Sequence, residues 1–561
     1  MKHIKIQHLL GAVAMTALLL TGCAKDNSMT DITPEKSGAK AEQSELMQAL
    51  SAIDAVSGID IQYTNDDKDS VIFFDFDQPI DHHLPEMGTF KQHVSMKFVG
   101  YDKDVVLYTN GYAMPDNAED FTDVDLREHL NANMVKVEHR YFGYSLPGAS
   151  DELDYTYLNA EQQAYDLHNI VQALKKHLFK TGKWASTGVS KDGITSALYA
   201  YYSDLNGWKD IDVFVPFCAP FLVGTTNTDG SHLCLDEQPG RYLETVSGSD
   251  YPAGTAEHTA YQRLHTIANY ICTQPTVRDA CIKAIFASAP DDYKKVLGQY
   301  NSHSTVSTGD LTKDLTAVAY RYFVDNLFGK FSYINYSRWA NYVPDPVLAL
   351  TDGKELQNVV EFIFQNQTEL EKFLESKEKE QTAGNGSPRR AYGDDYGYGY
   401  DYETVPNFEA YWAYLQMLRE DLGAPYYVQA YKELGEAANG YTLVDGTYLT
   451  TSQARDVNYM FTNSCLFSGL YEQDNGRLMS DVRQWLYTET SAPIIFVYAR
   501  NDPWTAGAPD DAAFAQNADH LVKVVDMIAT HNDAFMNRNI FEKSSEDAIT
   551  AALNRFLKIN L

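Results

Sequence analysis

The sequence predicts an α/β fold: a mostly parallel sheet with helices on both faces, carrying a large inserted, mostly α-helical cap. Three observations point there. Strand-like and helix-like patterns alternate in βαβαβ order between residues 104 and 217. The alternation then stops, and helical patterns take over until about residue 490. It resumes from Ser491 to the end of the chain with two further apolar, β-rich runs.

The elements follow from local pattern. Residues 71–76 and 89–99 are β-rich alternating runs separated by a turn that holds Pro79, His82, His83, Pro85 and Gly88, which suits an antiparallel pair. His82 and His83 read as structural turn residues. Residues 104–108 form a short buried strand that ends in Thr109-Asn110-Gly111-Tyr112, where glycine lets the backbone turn and present N–H groups. A helix is expected over 125–130 and a strand over 133–137. Asn159 caps a helix with Gln162 three residues on, and apolar residues from Ala160 to Leu178 recur every three or four positions. A strand runs up to Ser190, a helix follows over 194–202, and 211–217 is another buried run.

In the cap, helices are expected over 356–374 and 408–422, with a Gly-, Asp- and Tyr-rich mobile loop over 377–403 between them. After it, 493–498 and 521–527 are strands, and 512–518 and 547–557 helices. The organisation expected is a lipoprotein signal peptide over 1–22, a flexible tether over 23–45, the first part of the core over 46–218, the cap over 219–490 and the second part of the core over 491–561.

With 45 Lys+Arg against 77 Asp+Glu, the net charge of −32 opposes nucleic-acid backbones and anionic lipid headgroups, so nucleic acid is not an expected partner. Membrane attachment is expected by another route. Lys2 and Lys5 precede an apolar stretch over 9–20 that is too short to span a bilayer, and Leu20-Thr21-Gly22-Cys23 resembles a bacterial lipobox. That resemblance implies lipidation of Cys23. Ala24 stands where an aspartate would signal inner-membrane retention, so the outer membrane is the expected location. Cys218, Cys234, Cys272, Cys281 and Cys465 remain, an odd number that leaves at least one thiol free; Cys218/Cys234 and Cys272/Cys281 are the close pairs. No Cys or His spacing suggests a metal, and no cofactor is expected.

The chemistry centres on Gly188-Val189-Ser190-Lys191-Asp192-Gly193. A strand that turns at once into a helix lifts one hydroxyl clear of the sheet, with backbone N–H groups behind it to receive an oxyanion. The pattern is an imperfect Gly-x-Ser-x-Gly, with the second glycine one place late at Gly193. Asp502 follows the strand at 493–498 and His531 follows the strand at 521–527. Strand C-termini of a parallel sheet share one rim, so an acid and an imidazole arrive beside Ser190 in the order Ser, Asp, His used by α/β-hydrolases. A serine hydroxyl needs a neutral imidazole to take its proton, and the imidazole needs a carboxylate to hold its tautomer. Ser190 is thus the candidate nucleophile, His531 the base and Asp502 the orienting acid, with backbone N–H groups of Lys191 and Tyr112 as the oxyanion hole. His520, which precedes its strand, falls on the opposite rim.

Several segments together carry a family resemblance: Gln78-Pro79-Ile80-Asp81-His82, Gly88-Thr89-Phe90-Lys91-Gln92, Glu138-His139-Arg140-Tyr141-Phe142-Gly143, Lys183-Trp184 through Thr195, and Asn501-Asp502-Pro503-Trp504. From about residue 70 onward the chain resembles the secreted bacterial tripeptidyl aminopeptidases, serine peptidases related to prolyl carboxypeptidase. The match is dense in the core and thin in the cap. It implies a peptide substrate cut near its N-terminus, releasing di- or tripeptides through an acyl-enzyme on Ser190. An esterase with the same triad, and a catalytically weakened surface lipoprotein that binds peptides, remain the alternatives.

Asp192 departs from the resemblance, which has glycine there. At ~8 Å and an effective dielectric of ~20, its charge would oppose an oxyanion by roughly 2 kcal/mol unless Lys191, Arg140 or solvent screens it. On that reading Asp192→Gly raises kcat.

Overall fold

The computed structural model describes residues 45–64, 70–148, 155–221, 251–274, 340–364, 477–533 and 541–561, with a few single positions between 276 and 434. Residues 1–48 make a unit of their own, of which only 45–48 are described; 49–561 form the other. Cys23, the signal peptide and nearly all of the tether lie outside the described residues. So do the 377–403 loop, the helix expected over 408–422, Cys234, Cys281, Cys465 and the side chain of Cys272.

The larger unit is organised on one nine-stranded sheet. Its strands are β1 (Val56–Tyr63), β2 (Ser70–Pro79), β3 (Thr89–Lys97), β4 (Val105–Thr109), β5 (Asn133–Val137), β6 (Trp184–Val189), β7 (Val213–Phe217), β8 (Ile494–Ala499) and β9 (Leu521–Asp526), in spatial order β1-β2-β3-β5-β4-β6-β7-β8-β9. The pairs β1/β2, β2/β3 and β3/β5 are antiparallel; all pairs from β5/β4 to β8/β9 are parallel. From β2 onward this is the strand order of an α/β-hydrolase. The fold expected from the sequence is the one observed.

Strand β1 is an addition that the sequence pattern does not announce. Gly58 sits at φ +62° where the register with β2 shifts, between Ser57 and Asp60, and this irregularity breaks the period-two signal of a strand.

The helices of the core are α1 (Asp125–Leu130), α2 (Ala160–His177), α3 (Lys191–Asn206), α6 (Arg477–Thr488), α7 (Asp511–Gln516) and α8 (Lys543–Leu557). Between residues 222 and 476 the described elements are helical, α4 (Ala256–Thr273) and α5 (Gly353–Phe364), besides two short 3-10 turns. Helix α5 falls where the sequence pattern expects 356–374 and is described to Phe364. Helix α2 starts where the cap residue predicts: the Asn159 side chain accepts the Gln162 N–H at 2.9 Å.

Alternation along the central strands divides them between two faces. Ala185, Val213, Val215, Ile495 and Val497 join Leu126 and Leu130 of α1 and Ile549 and Leu553 of α8 in one buried cluster. The intervening positions meet α3: Ser186 hydrogen-bonds Ser196 at 2.8 Å, and the Phe214 ring packs edge-on against Tyr199. Helices therefore cover both faces, and the C-termini of the parallel strands β4 to β9 open on a single rim.

Candidate active site

Backbone hydrogen bonds knit that rim together strand by strand. The Ser190 N–H donates to the Phe217 carbonyl at the end of β7 (2.9 Å), the Cys218 N–H to Val497 in β8 (2.8 Å), and the Arg500 N–H to Asp526 at the end of β9 (2.7 Å). Ser190, Cys218, Asp502 and His531 thus each follow the C-terminus of a neighbouring strand.

Ser190 adopts φ 58°, ψ −124°, a conformation costly for a side chain with a Cβ. The turn holds it because α3 begins at the next residue and the Ile194 N–H closes onto the Ser190 carbonyl at 2.9 Å. The flanking glycines are there for close approach. A Cβ on Gly188 would lie 2.5 Å from the Asp192 carbonyl carbon, and one on Gly193 would lie 2.8 Å from the Phe217 oxygen. Gly193, one place later than the usual spacing, brings α3 against β7.

Asp502 is fully buried, with 0% of its surface exposed, and both of its oxygens are engaged. Oδ1 accepts the Trp504 N–H at 3.0 Å, capping the 3-10 turn Pro503–Gly507, while Oδ2 accepts His531 Nδ1–H at 2.8 Å. As expected of a residue before proline, Asp502 is extended, at φ −112°, ψ 117°. The His531 loop is held by two further carboxylates. Asp526 accepts the Ile528 and Ala529 N–H groups, and Asp533 accepts both the N–H and the hydroxyl of Thr530. Burial raises the Asp533 carboxyl above its ordinary value, and the Asp526 charge adds to this. His520 lies before β9, at the other end of the sheet.

Cys218 is a participant that the sequence reading did not single out. Its thiol is free, so it does not make the pairing with Cys234 that sequence proximity allows. It is buried at φ 45° and hydrogen-bonds Asp502; burial, then the Asp502 charge, pushes it well above the ordinary thiol range. Sulfur, carboxylate and imidazole lie within 4.8 Å of one another. The only signal in the sequence was position: Cys218 directly follows a buried strand, as Ser190 does.

Of the three groups named above that could screen Asp192, namely Lys191, Arg140 and solvent, solvent does not reach it. It is buried, with 0% exposure. Its Oδ2 accepts the Tyr108 hydroxyl at 2.5 Å and its Oδ1 accepts the Gly111 N–H at 2.5 Å. Arg140 is occupied elsewhere, by both oxygens of Asp166 at 2.7 and 2.8 Å and by the carbonyls of Pro79, Ile80 and Tyr157. Lys191 turns its ammonium to the Gly111 carbonyl, over the rings of Tyr112 (5.2 Å) and Phe142 (4.9 Å). Both Lys191 and the 110–112 loop therefore meet at the foot of α3, beside Ser190.

The motifs around Glu138 and Gln78 serve as scaffold for this rim. Asp166 of α2 receives His82 at 2.7 Å as well as Arg140, so the β2–β3 turn is tied to α2. Buried Glu138 accepts the N–H groups of Met114 (2.8 Å) and Tyr144 (2.9 Å) and the Ser145 hydroxyl (2.7 Å). Desolvation nonetheless dominates and pushes its carboxyl up to about 8. A Cβ on Gly143, at φ +50°, would lie 2.0 Å from Glu138 Oε1, so only glycine fits.

Residues 40–232 match the family described as PS-10 peptidase S37. A prolyl tri/tetrapeptidyl aminopeptidase from Streptomyces mobaraensis is 34% identical over 132 residues, which cover 23% of this chain and 26% of that protein. The chain thus matches about a quarter of that relative's length. Among solved structures, an esterase from Pyrobaculum calidifontis is similar at 17% identity over 41% of this chain and 63% of its own, with a TM-score of 0.20. Homoserine O-acetyltransferase from Staphylococcus aureus is similar at 10% identity over 90% and 94%, with a TM-score of 0.31. The fold assignment rests on the strand order and not on these two. The resemblance to tripeptidyl aminopeptidases read from the motifs is borne out by these matches: residues 40–232, the stretch that carries Ser190, match the PS-10 peptidase S37 family, and the similar curated protein is a prolyl tri/tetrapeptidyl aminopeptidase.

Proposed function

We propose that this protein is a serine aminopeptidase that releases di- or tripeptides from peptide N-termini through an acyl-enzyme on Ser190. The observation that carries the reading is the pairing of a strained Ser190 turn after β6 with the buried Asp502–His531 hydrogen bond on the same rim. Ser190 Oγ attacks the scissile carbonyl and gives its proton to His531 Nε2, while Asp502 holds Nδ1–H and stabilises the imidazolium. The N–H groups of Lys191 and Tyr112 receive the oxyanion. His531 passes the proton to the leaving amine, and water, deprotonated by the same imidazole, then attacks the acyl-enzyme and frees Ser190. None of these steps calls on a cofactor. We further propose that lipid on Cys23 is the sole attachment to the outer membrane, with peptides as substrates and nucleic acid excluded by charge. No helix among the described residues is long and apolar enough to cross a membrane.

The test is labelling by a fluorophosphonate probe together with paired assays on aminoacyl-peptide and short-chain ester chromogenic substrates. Wild type is expected to label and to prefer the peptide; Ser190→Ala is expected to lose labelling and hydrolysis with an unchanged thermal midpoint. Preference for the ester would assign an esterase instead. A wild type that does not label would leave a peptide-binding lipoprotein.

A further inference from the structure

We infer that the side chains of Lys191 and Asp192 are positioning residues that together clamp the Gly111 backbone, and that through it they set the direction of the Tyr112 N–H. The inference rests on the reading of that N–H as an oxyanion donor.

Both polar groups of Gly111 are held by two adjacent residues. The Gly111 N–H donates to Asp192 Oδ1 at 2.5 Å, and the Gly111 carbonyl accepts from Lys191 Nζ. The carbonyl of Gly111 and the N–H of Tyr112 belong to one planar trans peptide unit and point in opposite directions. Drawing the oxygen to Lys191 therefore aims the N–H the other way. The clamp is itself immobilised. Lys191 is 3% exposed and its ammonium is seated against two aromatic rings; Asp192 is braced through its second oxygen by Tyr108, near the end of β4. The Thr109 hydroxyl adds a bond to the Asp192 carbonyl at 3.0 Å.

These two residues open α3, directly after Ser190. The nucleophile, the Lys191 N–H and the grip on the Tyr112 peptide are therefore parts of one helix terminus, and the separation of the two donors does not depend on the loop's own stiffness. Gly111 is required for this contact: a Cβ there would lie 2.8 Å from Lys191 Cγ and 3.0 Å from Asp192 Oδ1. The Asp192 charge, which alone would oppose an oxyanion, has the buried Lys191 ammonium on the other side of the same glycine, and Lys136 lies close enough to feel it. The expectation that Asp192→Gly speeds catalysis is thereby reversed.

The test uses the full chain and three variants: Asp192→Gly, which removes the grip on the N–H; Asp192→Asn, whose amide oxygen can keep it; and Lys191→Met, which keeps the apolar stem and loses the ammonium. Removing an oxyanion donor outright costs about 10²–10³-fold in kcat, so misaiming one is expected to cost roughly 10- to 100-fold. Asp192→Gly and Lys191→Met should show that loss in kcat with KM within about twofold. A peptide aldehyde, which forms a tetrahedral oxyanion on Ser190, should bind them more weakly by the same factor. Asp192→Asn should stay within about threefold of wild type. A merely structural role would lower the thermal midpoint without this matched loss of kcat and aldehyde affinity, and would overturn the clamp. Equal or higher kcat in Asp192→Gly, with Ser190 still labelled by a fluorophosphonate, would overturn it too while leaving the triad standing. Failure of wild-type Ser190 to label would remove both. Should Asp192→Gly not fold, Lys191→Met decides by the same criteria.

Discussion

Asp502 shows how much a single carboxylate can fix. One oxygen accepts the Trp504 N–H of its own turn and the other faces His531 Nδ1, while the Cys218 thiol makes a third bond to the same carboxylate. Asn at 502 can keep the first bond but presents an N–H where His531 needs an acceptor, which favours the wrong tautomer. Asp502→Asn is therefore expected to lower kcat about 10³-fold or more, and His531→Ala similarly, with labelling slowed in parallel when followed by gel fluorescence. Glu138 makes a prediction of a different kind. Its folded value of about 8 lies above the ordinary 4.5, so the folded state holds the proton more tightly than the unfolded chain. The stabilisation is complete below about pH 4.5 and is lost as pH rises toward 8. Chemical denaturation between pH 5 and pH 8 should show wild-type stability falling, by at most ~1.4 kcal/mol per pH unit from this group. In Glu138→Gln the slope should be shallower, and an identical slope would remove Glu138 as its source.

Among the elements, the β6–α3 junction carries the tightest constraint. The helix starts with no room between its first turn and the strand it leaves, because the Asp192 carbonyl lies 2.5 Å from where a Gly188 Cβ would be and that neighbour is backbone. Backbone atoms on both sides cannot yield without moving α3, and Ser190 moves with it. Gly188→Ala is expected to lower the thermal midpoint by several degrees and to abolish probe labelling. Full labelling in a well-folded Gly188→Ala would show that the junction can relax. The link between the β2–β3 turn and α2 is of another sort: Arg140 and His82 both bond the buried Asp166, which ties two of the resemblance motifs to one helix.

At the scale of the whole molecule, the proposed chemistry and the proposed attachment fall on separate parts of the chain. The candidate site is built entirely from residues after 100, on strands β4, β6, β7, β8 and β9. The residues proposed for attachment precede 24. Cys23→Ser is accordingly expected to move the protein from the membrane pellet to the soluble fraction while kcat and KM on the peptide substrate stay within about twofold. A variant still sedimenting with outer membranes would point to another anchor.

The order of the elements, the capping of α2 by Asn159 and the positions of Ser190, Asp502 and His531 after β6, β8 and β9 were legible in the sequence, because each is announced by a local signal: period, turn chemistry or the residue just past a buried run. A parallel sheet converts such local positions into a shared rim without further information. What only the tertiary structure decided were contacts between segments far apart in the chain. Gly111 and Asp192 are 81 positions apart, and Arg140 and Asp166 are 26 apart. No periodicity records such pairs. For that reason the same residue, Asp192, is a stray charge beside an oxyanion when read along the chain and a buried acceptor of two hydrogen bonds when read in space. The bond it accepts from Gly111 exists only because β4 and β6 lie side by side in the sheet.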